Sequence, residues 1–295
     1  MPDWSFDTLD YLPERKVPIC VRLHGYPGFK DDFDRGIIKK WPKNYIIWSL
    51  FRKHILNADL VTGVSKAYTD FVKKVWEIKE RQVKVIPIGI DLGIFHPGNV
   101  SHKELKVIFA GRLEKSKGIE VLVQAIPLIL KEVPNTKFYL AGRDFKFKSG
   151  PETSSEYLIN IFGKESIVYL GPLSTVDLIY QYQTATLCVM PSLYEPGGTI
   201  AFESMACGCP MIASKVGGLT EIINDRQTGL LVPAGDAKAL ADAVIELLKN
   251  PQMREEISHK ALETMNKNYS LTAIIQQTLD AYSQTIDVFK GKLVK

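Results

Sequence analysis

The residues best suited to chemistry fall in one segment, Val189–Pro210, which carries two carboxylates, Glu195 and Glu203, around Gly197-Gly198-Thr199. An apolar run ending at Pro191 predicts a strand. The small apolar stretch Thr199–Cys207 predicts a helix, stopped by Gly208 and Pro210. Glu195 then sits on a loop and Glu203 inside a helix, so the two can reach different parts of one ligand. Gly197 and Gly198 let a ligand approach the backbone closely. The first helical N–H groups point into the same crevice, where the positive end of the helix dipole favours an anion.

The elements that must position this segment follow from an alternation of short apolar runs with longer helical patterns. The runs are Val17–Leu23, Leu60–Val64, Val83–Ile88, Lys106–Ala110, Lys137–Ala141, Ile167–Leu170, Thr186–Pro191, Met211–Ala213 and Gly229–Val232, most of them closed by Gly or Pro. Continuous apolar strands between helices read as parallel strands buried on both faces. The class is α/β, with right-handed crossovers and ligands at the carboxyl ends of the strands. Gly118–Leu130 places Ile119, Leu122, Val123, Ile126 and Leu130 on one helical face. Asp236 is an N-cap for Ala237–Leu248, and Ser270 caps a final helix, Leu271–Phe289. Turn residues between 92 and 104 mark a boundary.

Taken together these segments resemble the retaining GT-B glycosyltransferases of the GT4 family. The resemblance rests on Glu195, seven residues and Glu203, with the helix ending Ala206-Cys207-Gly208-Cys209-Pro210. Phe109-Ala-Gly-Arg112-Leu with Lys117-Gly118 resembles the family's "GRL…KG" element, and Val216-Gly-Gly-Leu-Thr-Glu221 its "GGxxE" loop. Ala58–Lys66 and Val85–Asp91, with Phe95-His96-Pro97, resemble the last strands of the N-terminal domain and the linker. The implied architecture is two Rossmann-like domains with parallel sheets: residues 1–97 as a partial acceptor-side domain, 98–270 as the donor-binding domain, and 271–295 as a helix crossing back. Family members open with a strand and a Gly-rich loop that nothing before His24 resembles. The N-terminal domain is therefore expected to be incomplete, with an uncovered sheet edge.

The resemblance also implies roles. Arg112 and Lys117 match the basic pair that holds a donor diphosphate. Arg offers bidentate contacts and Lys a point charge, so together they can neutralise a leaving nucleotide diphosphate without a metal. Glu203 matches the carboxylate that binds ribose hydroxyls, and Glu195 the one facing the transferred sugar, where it can stabilise positive character at the anomeric carbon. Gly197, Gly198 and Thr199 match the backbone that contacts sugar or phosphate, although family members typically have an aromatic where Gly197 stands. His24 resembles the N-terminal-domain His that approaches the reacting sugar. Arg143 follows a strand that lies near the nucleotide in the family, and Ser65-Lys66 begin a helix on the acceptor side.

The implied activity is metal-independent transfer of a hexose from a UDP- or GDP-sugar to a glycan, lipid or small-molecule hydroxyl, with retention and no cofactor. Two other readings stand beside it: a nucleotide-sugar-binding module without turnover, and a GT-B epimerase. Asp32-x-Asp34 spells the DxD of metal-dependent transferases but reads as solvated loop charge, and Walker, GxGxxG, HExxH and nucleophile-elbow patterns are absent from the sequence.

Composition agrees with a globular enzyme: of 295 residues 45% are hydrophobic and 24% charged, enough for sizeable cores. The net charge of +4 belongs to residues 1–97, which hold 16 Lys+Arg against 12 Asp+Glu; residues 98–295 hold 21 of each. That excess is too dilute for nucleic acid, but could draw an anionic substrate or give peripheral membrane contact. Four Cys (20, 188, 207 and 209), no signal-like N-terminus and no apolar stretch of membrane length lead to the expectation of a cytoplasmic protein.

Overall fold

The computed structural model describes residues 17–24, 53, 55–99, 104–148 and 150–293, so Asp32 and Asp34 lie outside the described residues. Among the described residues nine parallel strands form two sheets. The smaller contains β1 (Cys20–Leu23), β2 (Leu60–Gly63) and β3 (Val83–Val85), in that order. The larger contains β4 (Leu105–Ala110), β5 (Thr136–Ala141), β6 (Ile167–Gly171), β7 (Leu187–Met190), β8 (Met211–Ser214) and β9 (Leu230–Val232), in the order β6-β5-β4-β7-β8-β9. Each of the nine apolar runs overlaps one of these strands, with bounds that differ by a few residues. The run Val83–Ile88 forms strand only to Val85: Pro87 has no N–H to give a ladder, and the Arg22 guanidinium donates to the carbonyls of Ile86 (3.1 Å) and Pro87 (3.0 Å).

The larger sheet is buried on both faces because its side chains alternate between two cores. On β4, Val107 and Phe109 face a core shared with α2 (Ile119–Glu132), α3 (Ser154–Phe162) and α7 (Ala237–Lys249). Ile108 and Ala110 face a second core with α4 (Thr175–Thr184) and α5 (Thr199–Ala206). Asp236 caps α7 by accepting from Ala239 N at 2.9 Å, as the sequence predicts. In the smaller sheet, α1 (Lys66–Trp76) packs Tyr68, Val72 and Trp76 against Val61. After α8 (Pro251–Thr264), the long α9 (Leu271–Leu293) brings Ile274 and Ala281 to Leu60 and Ile86. The crossover into α9 is tied to the strand region by Ile90 N to Tyr269 O (2.8 Å) and Leu271 N to Ile90 O (3.0 Å). Among the described residues β1 is an edge strand. Cys188, Cys207 and Cys209 are buried, and all four Cys are free thiols. No helix among the described residues is long and apolar enough to cross a membrane.

Backbone segments pack tightly where the loops after β4 and β7 meet. A short 3₁₀ turn, Lys115–Lys117, closes at Gly118 (φ +76°), and a Cβ built there would stand 1.8 Å from the Pro191 carbonyl oxygen. Both the left-handed backbone and the contact exclude a side chain. Gly118→Ala should therefore destabilise the fold by more than about 1 kcal/mol, read from chemical denaturation; an unchanged midpoint would refute this packing.

Candidate functional site

In the larger sheet the chain winds outward from β4 to β6, then restarts at β7 beside β4 and winds outward to β9. The loops after β4 and β7 thus diverge and leave a crevice, the place where open parallel sheets bind ligands. Arg112 and Lys117 come from the first loop; Glu195, Gly197, Gly198 and Thr199 come from the second.

The two loops meet through an ion pair. Lys117 Nζ lies 2.6 Å from Glu195 Oε2, with only 19% and 8% of the two side chains exposed. Glu195 Oε1 accepts from Gly198 N at 3.1 Å, so the carboxylate also folds its own loop back onto the start of α5. Two further contacts fasten the loops: Leu193 N donates to Ser116 O (2.9 Å), and Gly118 packs on Pro191. Arg112 is half-exposed and paired with Glu114 at 2.9 Å. The ammonium of Lys117 keeps two further donors, and the N–H groups of Thr199 and Ile200 at the start of α5 have no hydrogen-bond partner among the described residues. Side-chain cations and unspent helix amides at the mouth of one crevice form an anion cradle.

Glu203 lies one turn into α5, away from this pair. Its Oε2 accepts from Tyr182 Oη at 3.1 Å, and Oε1 has no partner among the described residues. Burial raises the Glu203 pKa, with the Tyr182 bond opposing. The same burial, reinforced by the Glu203 charge, pushes the Tyr182 hydroxyl well above its ordinary value. A carboxylate in apolar surroundings with one oxygen unused is a strong acceptor for a hydroxyl-bearing ligand. Arg143 is exposed at the carboxyl end of β5, where its carbonyl accepts from Leu113 N at 2.9 Å, next to the Arg112 loop.

The smaller unit reaches this region through Ser65, whose Oγ donates to Pro196 O at 2.6 Å. Glu221, in the short α6 (Leu219–Ile222), accepts from the backbone N–H groups of Lys66 and Ala67, each at 2.8 Å. A Cβ at Gly197 would lie 3.0 Å from Ile88 Cδ1 and 3.2 Å from Val64 Cγ2. A large side chain there would press on the smaller unit, which accounts for a glycine where an aromatic is expected. His24 follows β1 directly; partial desolvation of its ring and then the positive charge of Arg22 lower its pKa, favouring the neutral imidazole. Among the described residues no hydrogen bond or ion pair joins His24 to Lys117, Glu195 or Glu203. Tyr182 and the contacts of Ser65 and Glu221 escape sequence reasoning. Tyr182 belongs to no motif, while Glu221 is visible only as the last residue of Gly-Gly-Leu-Thr-Glu.

Comparison with known proteins agrees with this fold. Residues 94–264 match the family model "Glycosyl transferases group 1", and residues 2–93 match "Glycosyltransferase Family 4". An uncharacterized glycosyltransferase of Methanocaldococcus jannaschii is 31% identical over 245 residues, 77% of this chain and 60% of the relative. The D-inositol 3-phosphate glycosyltransferase of Pseudarthrobacter chlorophenolicus is 30% identical over 248 residues, 80% and 58% of the two chains. This chain therefore spans about three fifths of the length of these relatives. Among solved structures, sucrose-phosphate synthase from Thermosynechococcus elongatus superposes with a TM-score of 0.74 at 30% identity, covering 90% of this chain and 67% of that one. Anabaena HepE, solved with UDP-glucose, gives 0.75 at 20% identity, covering 91% and 72%, a likeness of fold. The fold is of the GT-B type, with two parallel Rossmann-like sheets.

Two stability measurements check the site. Lys117→Met strands a buried carboxylate and should lower stability by about 3 kcal/mol, much of it recovered in Lys117→Met/Glu195→Gln; equal losses in both variants would show the pair to be uncoupled. Because the folded pKa of Glu203 is raised, the folded state binds its proton more tightly than the unfolded chain. Stability from this group is present below the ordinary Glu range and lost as pH rises through the folded value. Glu203→Gln should therefore melt above wild type at pH 7, with the gap closing as pH falls below about 4.5. A gap independent of pH would remove the assigned cause.

Proposed function

The chain belongs to the glycosyl transferases group 1 family, and on that premise we propose that it transfers a hexose from a nucleotide-diphosphate sugar to an acceptor hydroxyl, with retention at the anomeric carbon and no essential metal. The observation that carries this reading is the Lys117–Glu195 contact of 2.6 Å between the loops after β4 and β7, beside the open amides of α5. The two relatives at 30% identity named for sugar transfer to, or synthesis of, phosphorylated sugars or polyols support a nucleotide-sugar reaction. The match of residues 2–93 supports the GT4 subtype.

In this proposal the diphosphate lies across the start of α5, where Arg112, Lys117 and the Thr199 and Ile200 amides balance its charge. Charge grows on the β-phosphate as the bond from the anomeric carbon to its oxygen breaks, so cations held in advance at that point lower the barrier. Glu195, fixed by Lys117 and Gly198, faces the sugar and stabilises the positive character left on the ring. The acceptor oxygen bonds to the same face of the anomeric carbon, and its proton passes to the departing phosphate oxygen. Glu203 takes the ribose hydroxyls on its unused oxygen, Arg143 flanks the nucleotide, and neutral His24 hydrogen-bonds the sugar from the smaller unit.

A panel of UDP- and GDP-hexoses tests the reading. The true donor, at 100 times its dissociation constant, should stabilise the protein by about 2.7 kcal/mol in a thermal-shift assay. Donor hydrolysis or transfer should survive chelator, and Lys117→Ala should lower kcat/KM about a hundredfold. Because this chain spans about three fifths of its relatives, a binding module is the second reading. Calorimetric binding without turnover of any donor would select it, and the absence of both would defeat the proposal.

A further inference from the structure

The reaction proposed above uses residues of the larger unit, yet the loop that carries Glu195 is clasped from the smaller one. Pro196 O receives the Ser65 hydroxyl at 2.6 Å. Ser65 is also the N-cap of α1, its Oγ accepting from Tyr68 N at 3.2 Å. The next two amides of that helix, Lys66 and Ala67, bond the two carboxylate oxygens of Glu221, one each, at 2.8 Å. An isolated helix leaves such amides to water; here a carboxylate from the other unit completes the cap, where the helix dipole favours negative charge. The Lys66 ammonium is turned to Asp70 on its own helix, so Glu221 is matched to backbone amides rather than to a lysine.

Glu221 is itself anchored to the loop it overlooks. Its backbone carbonyl accepts from Tyr269 Oη at 3.1 Å, next to the crossover that joins the two units. Immediately before α6 begins, Gly218 N donates to Glu195 O at 2.9 Å. Gly217 (φ +49°) lies so close that a Cβ would stand 2.1 Å from the same carbonyl, and a Cβ on Gly218 would stand 2.6 Å from Pro196 O and 3.2 Å from Ser65 Cβ. The start of α1, the Gly217-Gly218 turn and the Glu195-Pro196 backbone are thus stacked in direct contact.

We propose that Glu221 is a positioning residue: by capping α1 across the interface it holds Ser65 on the Pro196 carbonyl, and so fixes the loop that aims Glu195 at the donor sugar. The inference rests on the transferase reading for its kinetic consequence, but the latch has a readout of its own. In wild type the Lys66 and Ala67 amides should be protected from hydrogen exchange, and Glu221→Gln, which removes the charge and one acceptor, should speed their exchange by about tenfold or more. This measurement needs no donor. With a donor that turns over, Glu221→Gln should lower kcat by about tenfold while the calorimetric affinity for the nucleoside diphosphate, held by Arg112, Lys117 and α5, stays unchanged. Glu221→Asp, which keeps the carboxylate, should recover part of the rate. Ser65→Ala should lower kcat in the same way, and the double variant Glu221→Gln/Ser65→Ala should lose little beyond the worse single one. Unchanged amide exchange in Glu221→Gln, unchanged kcat, independent additive losses, or equal damage to nucleotide affinity would each overturn the proposal. Protected Lys66 and Ala67 amides in wild type that exchange faster in Glu221→Gln, with no turnover of any donor, would keep the latch and defeat the transferase reading instead.

Discussion

The attraction between Lys117 and Glu195 organises the functional half of this molecule. Both groups are mostly withdrawn from water, so neither charge is tolerable there alone. Pairing them binds the loop after β4 to the loop after β7, and those are the loops that a doubly wound sheet sends apart. The second carboxylate oxygen, bonded to Gly198, passes the constraint to the start of α5. One interaction therefore sets the positions of a cation, an anion and a row of helix amides, with no residue needing to be rigid by itself.

This pairing changes how the two side chains should be understood. A lysine and a glutamate assigned to different parts of a ligand turn out to hold each other. In the proposed reaction the pair would supply the preorganisation that electrostatic stabilisation requires, because its charges are oriented before any ligand arrives. Glu203 is arranged by the opposite means. Among the described residues it has no cationic partner, and burial beside Tyr182 leaves it a poorly solvated carboxylate with one oxygen to give.

The smaller sheet bears on the same loop from outside. Its helix α1 starts against Pro196 and Glu221, and Val64 and Ile88 stand where a side chain on Gly197 would go. The crossover through Ile90, Tyr269 and Leu271 makes α9 part of the smaller unit's core while it remains continuous with the larger one. The geometry of the Glu195 loop is therefore shared between both units.

The strands were legible in the sequence because a parallel strand buried on both faces must be apolar throughout, and such runs stand out between helices. The α7 cap at Asp236 and the start of α5 after Gly198 were legible for equally local reasons, a side chain bonding its own helix and a glycine adopting a left-handed turn. The candidate residues of the larger unit were legible as members of ordered motifs. What tertiary structure alone decided are the partners: Lys117 with Glu195 across 78 positions, Tyr182 with Glu203 across 21, Ser65 with Pro196 across 131, and Glu221 with the amides of Lys66 and Ala67 across more than 150. Periodicity and capping act over a few residues and write themselves into the sequence, whereas an ion pair between loops exists only once the strand order has brought the loops together.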